Sequence, residues 1–209
     1  MHAQGVRGPF TVVKVVDGDT IDVLTDGGVE RVRLIGVDCP ELHHSDPVIK
    51  MYGKLSTEFT EKRLMDSEVW LEADAQPTDQ FGRTLAYVWT IPPPANAADE
   101  QLRTSMFNGV LLYEGWAMVF TVPPNVKYSD VLVAFQRDAI ENMRGLWKDP
   151  NLVIDPYGIV YRTETGTKYH LRGCSYLSES CIEIIRLEAF LRGLGPCSVC
   201  SPAPLTAQP

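Results

Sequence analysis

Two groups of residues carry spacing that suggests chemistry. Near the end of the chain, His170-x3-Cys174 and Cys197-x2-Cys200 form two ligand pairs. This Cys3His set suits tetrahedral zinc, with Cys181 as a spare thiol able to replace His170. In the first part of the chain, charge gathers in three short strings: Asp17-Gly18-Asp19-Thr20, Arg33 to Glu41, and Asp79-Gln80-Phe81-Gly82-Arg83. If Asp19 and Asp38 converge, two carboxylates about 4 Å apart repel by about 4 kcal/mol at an effective dielectric near 20. A divalent cation would remove that conflict, and hard oxygen donors favour calcium, magnesium or manganese.

The elements that must position these groups read as follows. Period-two alternation predicts strands over Phe10–Val16, Thr20–Thr25 and Arg31–Val37, separated by Asp-Gly turns. Arg33 and Asp38 are an odd number of residues apart, so a flat strand would point them to opposite faces. The chain is therefore expected to bend near Gly36. A helix is expected from Tyr52 to Met65, with Leu55, Phe59 and the Lys62 stem on one face. Two more strands, Val69–Ala73 and Arg83–Thr90, bring the count to that of a small five-stranded Greek-key barrel. After the proline-rich stretch Ile91 to Asp99, Ser105 offers a cap for a helix ending near Gly115. A further helix is expected from Ser129, lined by Val131, Leu132, Phe135, Ala139 and Met143 and closed by Gly145.

Asp149-Pro150 and Asp155-Pro156 mark a boundary between a first domain over 1–150 and a metal-binding module over 157–204. In the module, Gly158 to Tyr169 reads as a hairpin turning at Glu164-Thr165-Gly166. Ile184 to Leu194 reads as a short helix ended by Gly195-Pro196.

The charged strings resemble the staphylococcal nuclease (thermonuclease) family over roughly Phe10 to Lys148. Asp17 to Thr20, the R-x4-D-x-P-E string from Arg33 to Glu41, Tyr52-Gly53, the run from Asp79 to Tyr87, Gly115-Trp116-Ala117 and Gly145-Leu146-Trp147 all fit it. The resemblance implies an α+β fold, a five-stranded OB-type barrel with three helices, and calcium-dependent hydrolysis of DNA and RNA to 3′-phosphate products. It also implies that Asp19, Asp38 and the Cys39 carbonyl hold calcium, that Arg33 and Arg83 grip the scissile phosphate, and that Glu41 positions the attacking water. Phe81 is open to two readings, a stacking face for a base or ordinary packing. Where relatives place stacking tyrosines, this chain has Phe120-Thr121-Val122-Pro123. Tyr161 to Pro202 is similar to the small Ada-like metal-binding domains, which implies a structural zinc.

Charge qualifies these expectations. The chain has 19 Lys/Arg against 27 Asp/Glu; residues 1–150 hold 14 and 22 of them, and residues 151–209 hold 5 and 5. An acidic barrel grips long duplexes weakly, which favours single strands. The alternative class is a non-catalytic OB-type module that binds single-stranded nucleic acid or a protein. The composition holds no run of about 18 apolar residues, so no membrane partner is expected. Met1 to Phe10 lacks the pattern of a signal peptide, which points to the cytoplasm; the expected partner is a DNA or RNA substrate, and nothing in the sequence signals an obligate protein partner.

Overall fold

Alternating apolar residues at Val12, Ile21, Val23, Val32, Val69, Leu71 and Val88 are all buried in one core, as period-two side chains on a closed sheet must be. The structure, a computed structural model, describes residues 5–148 and 158–202. Its first strands are β1 (Val6–Asp17), β2 (Thr20–Thr25), β3 (Gly28–Leu34) and β4 (Gly36–Asp38), followed by β5 (Glu68–Glu72) and β6 (Thr84–Trp89). Five of them close in the order β1-β2-β3-β6-β5. All neighbours are antiparallel except β3 and β6, which run parallel.

The expected bend is present. The strand foreseen over Arg31–Val37 breaks at Ile35, and Gly36 takes φ +79°, a left-handed conformation that favours glycine. A Cβ there would lie 2.5 Å from Leu132 Cδ1. Beyond the break, β4 leaves the barrel and pairs antiparallel with β7 (Met118–Phe120).

Helices α1 (Pro47–Leu64), α2 (Asp99–Thr104), α3 (Phe107–Tyr113) and α4 (Ser129–Glu141) accompany these strands. Several sequence expectations need correction. The buried face of α1 is Ile49, Tyr52, Ser56, Thr60 and Leu64, whereas Leu55 and Lys62 are exposed. Two buried hydroxyl residues sit where an apolar stripe was sought. Ser105 ends α2 and does not begin α3. The missed signal is the acidic pair Asp99 and Glu100, which suits the positive end of a helix. Ser129 is already helical, with Tyr128 at the cap. Met143 lies beyond the end of α4, exposed and at φ +49°, because the chain turns at Asn142, whose amide bonds the Asp138 carbonyl at 2.8 Å.

By contacts the chain forms two units, Met1–Cys39 with Gly53–Leu146 and Pro40–Tyr52 with Trp147–Pro209. In the second, β8 (Ile159–Arg162) and β9 (Lys168–His170) form the expected hairpin. The predicted helix over Ile184–Leu194 is instead β10 (Ile182–Ile185) followed by α5 (Arg186–Leu191). Ile182, Ile184 and Ile185 are β-branched, and pairing with β8 draws them into the sheet. Gly195-Pro196 forms β11, parallel to β9. Val160, Tyr169, Ile184 and Ala189 make a small core. The boundary residues Asp149-Pro150 and Asp155-Pro156 lie outside the described residues. Among the described residues no helix is long and apolar enough to cross a membrane.

Candidate active site and metal centre

The turn between β1 and β2, the end of β3 and the end of β4 bring Asp19, Arg33, Asp38 and Cys39 together. Arg33 Nε lies 3.1 Å from Asp19 Oδ1, and its Nη2 lies 3.1 Å from Asp38 Oδ1. Arg33 Nη1 donates to the Leu34 and Val37 carbonyls, both at 2.8 Å, so the guanidinium spans the break at Ile35. The Cys39 amide donates to Asp19 Oδ2 at 2.7 Å and the Thr20 hydroxyl to Asp19 Oδ1 at 3.1 Å.

Burial pushes the Asp19 carboxyl up to about 8; Asp17 and Asp38 add to the rise, while Arg33 and the Cys39 amide oppose it. Burial also works against the charge on Arg33, but Asp19 and Asp38 outweigh it and hold the guanidinium above its ordinary value. Burial likewise raises the Cys39 thiol, with Asp19 reinforcing it. A carboxyl whose charge burial disfavours, joined through Arg33 to a second carboxylate, offers oxygen donors suited to a hard divalent cation.

Arg83 is organised separately. Asp79 Oδ1 accepts the amides of Phe81 and Arg83 at 2.9 and 3.0 Å, and Oδ2 accepts Arg83 Nε at 2.6 Å. Burial raises the Asp79 carboxyl, yet these Arg83 and Phe81 donors prevail and it lies below its ordinary value. Asp79 is a positioning residue that the sequence offered only as one charge in a string. The Arg83 guanidinium carbon lies 5.5 Å from the centre of the Phe81 ring.

Arg33 and Arg83 line one cleft of about 380 Å³, together with Phe81, Phe120, Val122 and Asn125. Phe81 is 74% exposed, which disfavours simple packing. The wall carrying Phe120 to Asn125 is tied down through Gln76, whose amide donates to Asn125 Oδ1 at 2.7 Å and whose carbonyl accepts Asn125 Nδ2 at 2.9 Å. Just beyond it, buried Glu72 accepts Trp89 Nε1 at 2.8 Å and forms an ion pair with Lys127. Glu41 is exposed and falls in the other unit, so this cluster is built from Asp19, Arg33, Asp38, Cys39 and Arg83.

In the second unit, the ligand atoms of His170, Cys174, Cys197 and Cys200 all lie within 4.8 Å of one another. His170 Nδ1 is 3.4 Å from Cys174 Sγ and 4.0 Å from Cys200 Sγ. Amides point at the sulfurs: Leu171 N at Cys200 and Val199 N at Cys197, each at 3.4 Å. Hydrogen bonds from the Cys200 and Val199 amides hold the Cys197 thiol below its ordinary value, favouring the thiolate a metal needs. Cys181 is exposed and outside this group. The donor set, three sulfurs and one imidazole, suits zinc.

The family model of staphylococcal nuclease homologues matches residues 31–149. The chain is 42% identical over 144 residues to a thermonuclease of Staphylococcus intermedius, covering 68% of this chain and 79% of that protein. It is 37% identical over 140 residues to a thermonuclease of Staphylococcus hyicus, covering 67% and 76%. A third relative, the SPbeta prophage-derived endonuclease YokF of Bacillus subtilis, is 29% identical over 147 residues, covering 69% of this chain and 46% of that protein.

Proposed function

The chain belongs to the staphylococcal nuclease family and is a phosphodiester-cleaving nuclease, and from that premise we propose that it hydrolyses DNA and RNA with a calcium ion at Asp19, Asp38 and the Cys39 carbonyl. Magnesium or manganese would satisfy the same donors. The observation that carries this reading is the pair of arginines on one cleft, one of them wedged between the two carboxylates.

Arg33 exchanges an aspartate oxygen for a phosphate oxygen as substrate enters. Arg83, its Nε held by Asp79, presents its remaining N–H groups to the same phosphate. Two guanidiniums offer forked, permanently charged donors to the charge that builds on the phosphoryl oxygens in the transition state. When bound, the cation adds Lewis-acid polarisation of a phosphate oxygen. The family resemblance, rather than any contact described above, assigns to Glu41 the orienting of the attacking water and the acceptance of its proton. Water adds to phosphorus in line, the bond to the 5′ oxygen breaks, that oxygen takes up a proton to leave as a 5′-hydroxyl, and a 3′-phosphate remains. Phe81 stacks on a base, and Phe120 and Val122 give the same cleft an apolar lining in place of a polar aromatic one. Single strands suit this cleft best, because stacking requires an unpaired base and an acidic body gives a duplex little charge to hold.

Zinc bound by His170, Cys174, Cys197 and Cys200 supports the fold of an Ada-like module over 157–204, which follows the nuclease domain over 1–150 in the sequence. Arg83→Ala tests the catalytic assignment. Removing one such donor should lower turnover by about 10²- to 10³-fold with an unchanged melting temperature; undiminished cleavage overturns the role of Arg83.

A further inference from the structure

Two buried hydroxyls on α1 take no part in the chemistry above, yet one bonds to the turn that carries Asp19 and the other to a carbonyl shared with Cys39. Thr60 and Ser56 are each 0% exposed. Thr60 Oγ1 donates to the Gly18 carbonyl at 2.7 Å, in the turn that ends at Asp19. Ser56 Oγ donates to the Trp116 carbonyl at 2.8 Å, and the same carbonyl accepts Cys39 Sγ at 3.4 Å. Trp116 is itself fixed by stacking on Phe59 of the same helix, ring centres 5.5 Å apart.

These contacts meet at Gly18. A Cβ built on it would lie 2.6 Å from Cys39 Sγ, 2.8 Å from Cys39 Cβ and 3.0 Å from Ser56 Cβ. The turn carrying Asp19 is therefore pressed directly against Cys39, and the Cys39 amide closes the ring by bonding Asp19 Oδ2 at 2.7 Å. Helix α1 thus holds the turn before Asp19 through Thr60 and the strand end at Cys39 through Ser56 and the shared Trp116 carbonyl.

We infer that Thr60 and Ser56 are positioning residues that set the separation of the Asp19 carboxylate from the Cys39 carbonyl and so determine affinity for the divalent cation. This rests on the cation site proposed above. A cation of fixed radius penalises a few tenths of an ångström in that separation. Groups that hold metal ligands in place typically change metal affinity by about 10- to 100-fold when lost. Each hydroxyl makes a bond that a valine or alanine cannot replace, while the volume change is small.

The test is calcium binding by the full chain, titrated with calcium chloride in a calorimeter at a temperature where a melt shows each variant fully folded. Thr60→Val should weaken calcium binding by at least about 10-fold, Thr60→Ser should restore it to within about twofold, and Ser56→Ala should weaken it in the same direction. A folded Thr60→Val protein with wild-type calcium affinity overturns the inference. If Thr60→Val does not fold, Ser56→Ala decides: wild-type affinity in that variant is equally fatal. Asp19→Asn separates this failure from that of the site itself. It should abolish binding, and unchanged binding there would overturn the cation site and this inference together.

Discussion

Burying Asp19 sets folding against ionisation when no cation is present. Its carboxyl rises from an ordinary 3.8 to about 8, so between those values the folded chain holds a proton that the unfolded chain has released. The stabilising contribution is complete below pH 3.8 and is lost as pH climbs through about 8. Denaturant titrations in chelator should accordingly give lower stability at pH 9 than at pH 5, and Asp19→Asn should flatten that slope. Stability that rises with pH through this site would contradict the burial argument. Asp19, Arg33, Asp38 and Arg83 stood out in the sequence because the short strings that hold them resemble one family's motifs; spacing alone did not bring them together. Ser56 and Thr60 did not stand out. Their partners lie 60 and 42 residues away, and a hydroxyl on a helix carries no local mark of burial.

At the scale of elements, the site depends on the break between β3 and β4. Asn108 of α3 fills it: its Nδ2 donates to the Ile35 carbonyl at 2.8 Å, and its Oδ1 accepts the Val88 amide at 2.8 Å. It is fully buried. Asn108→Ala would orphan both backbone groups and should cost on the order of 2–4 kcal/mol, measured by chemical unfolding. A loss below about 0.5 kcal/mol would mean the break is held otherwise. The strands of the barrel were readable because one buried face imposes period-two alternation, and Gly36 announced its own bend through the odd spacing of Arg33 and Asp38. Element boundaries in the second unit were less readable. Ile182 to Ile185 fits a helix or a strand equally well until β8 supplies hydrogen-bond partners, and that partner is not a local property of the sequence.

The whole molecule carries a net charge of −8, so substrate is held by a local site against an unfavourable background. With Arg33 and Arg83 as the phosphate contacts, the logarithm of affinity for single-stranded DNA should fall against the logarithm of salt with a slope of about −1.4. Fluorescence anisotropy of a labelled oligonucleotide measures this, and a slope steeper than about −4 would require a basic surface elsewhere. Among the described residues of the second unit, Val160, Tyr169, Ile184 and Ala189 form a small apolar cluster. Zinc bound as proposed above would add on the order of 10–16 kcal/mol to that unit's stability. Stripping zinc with a chelator under reducing conditions should abolish amide protection in β8 and β9 while β2 and β3 keep theirs. Retained protection in β8 and β9 would show that the hairpin stands without metal. The Cys and His pairing was readable from spacing alone, because tetrahedral ligation constrains it so tightly. The convergence of cleft, arginines and carboxylates was not, since it depends on barrel closure. That convergence is tested most directly by incubating single-stranded DNA, RNA and plasmid with the protein in calcium, magnesium, manganese or chelator. Cleavage to 3′-phosphate ends that requires a divalent cation and is fastest on single strands is the predicted result; cleavage undiminished in chelator, or none with any cation, would contradict it.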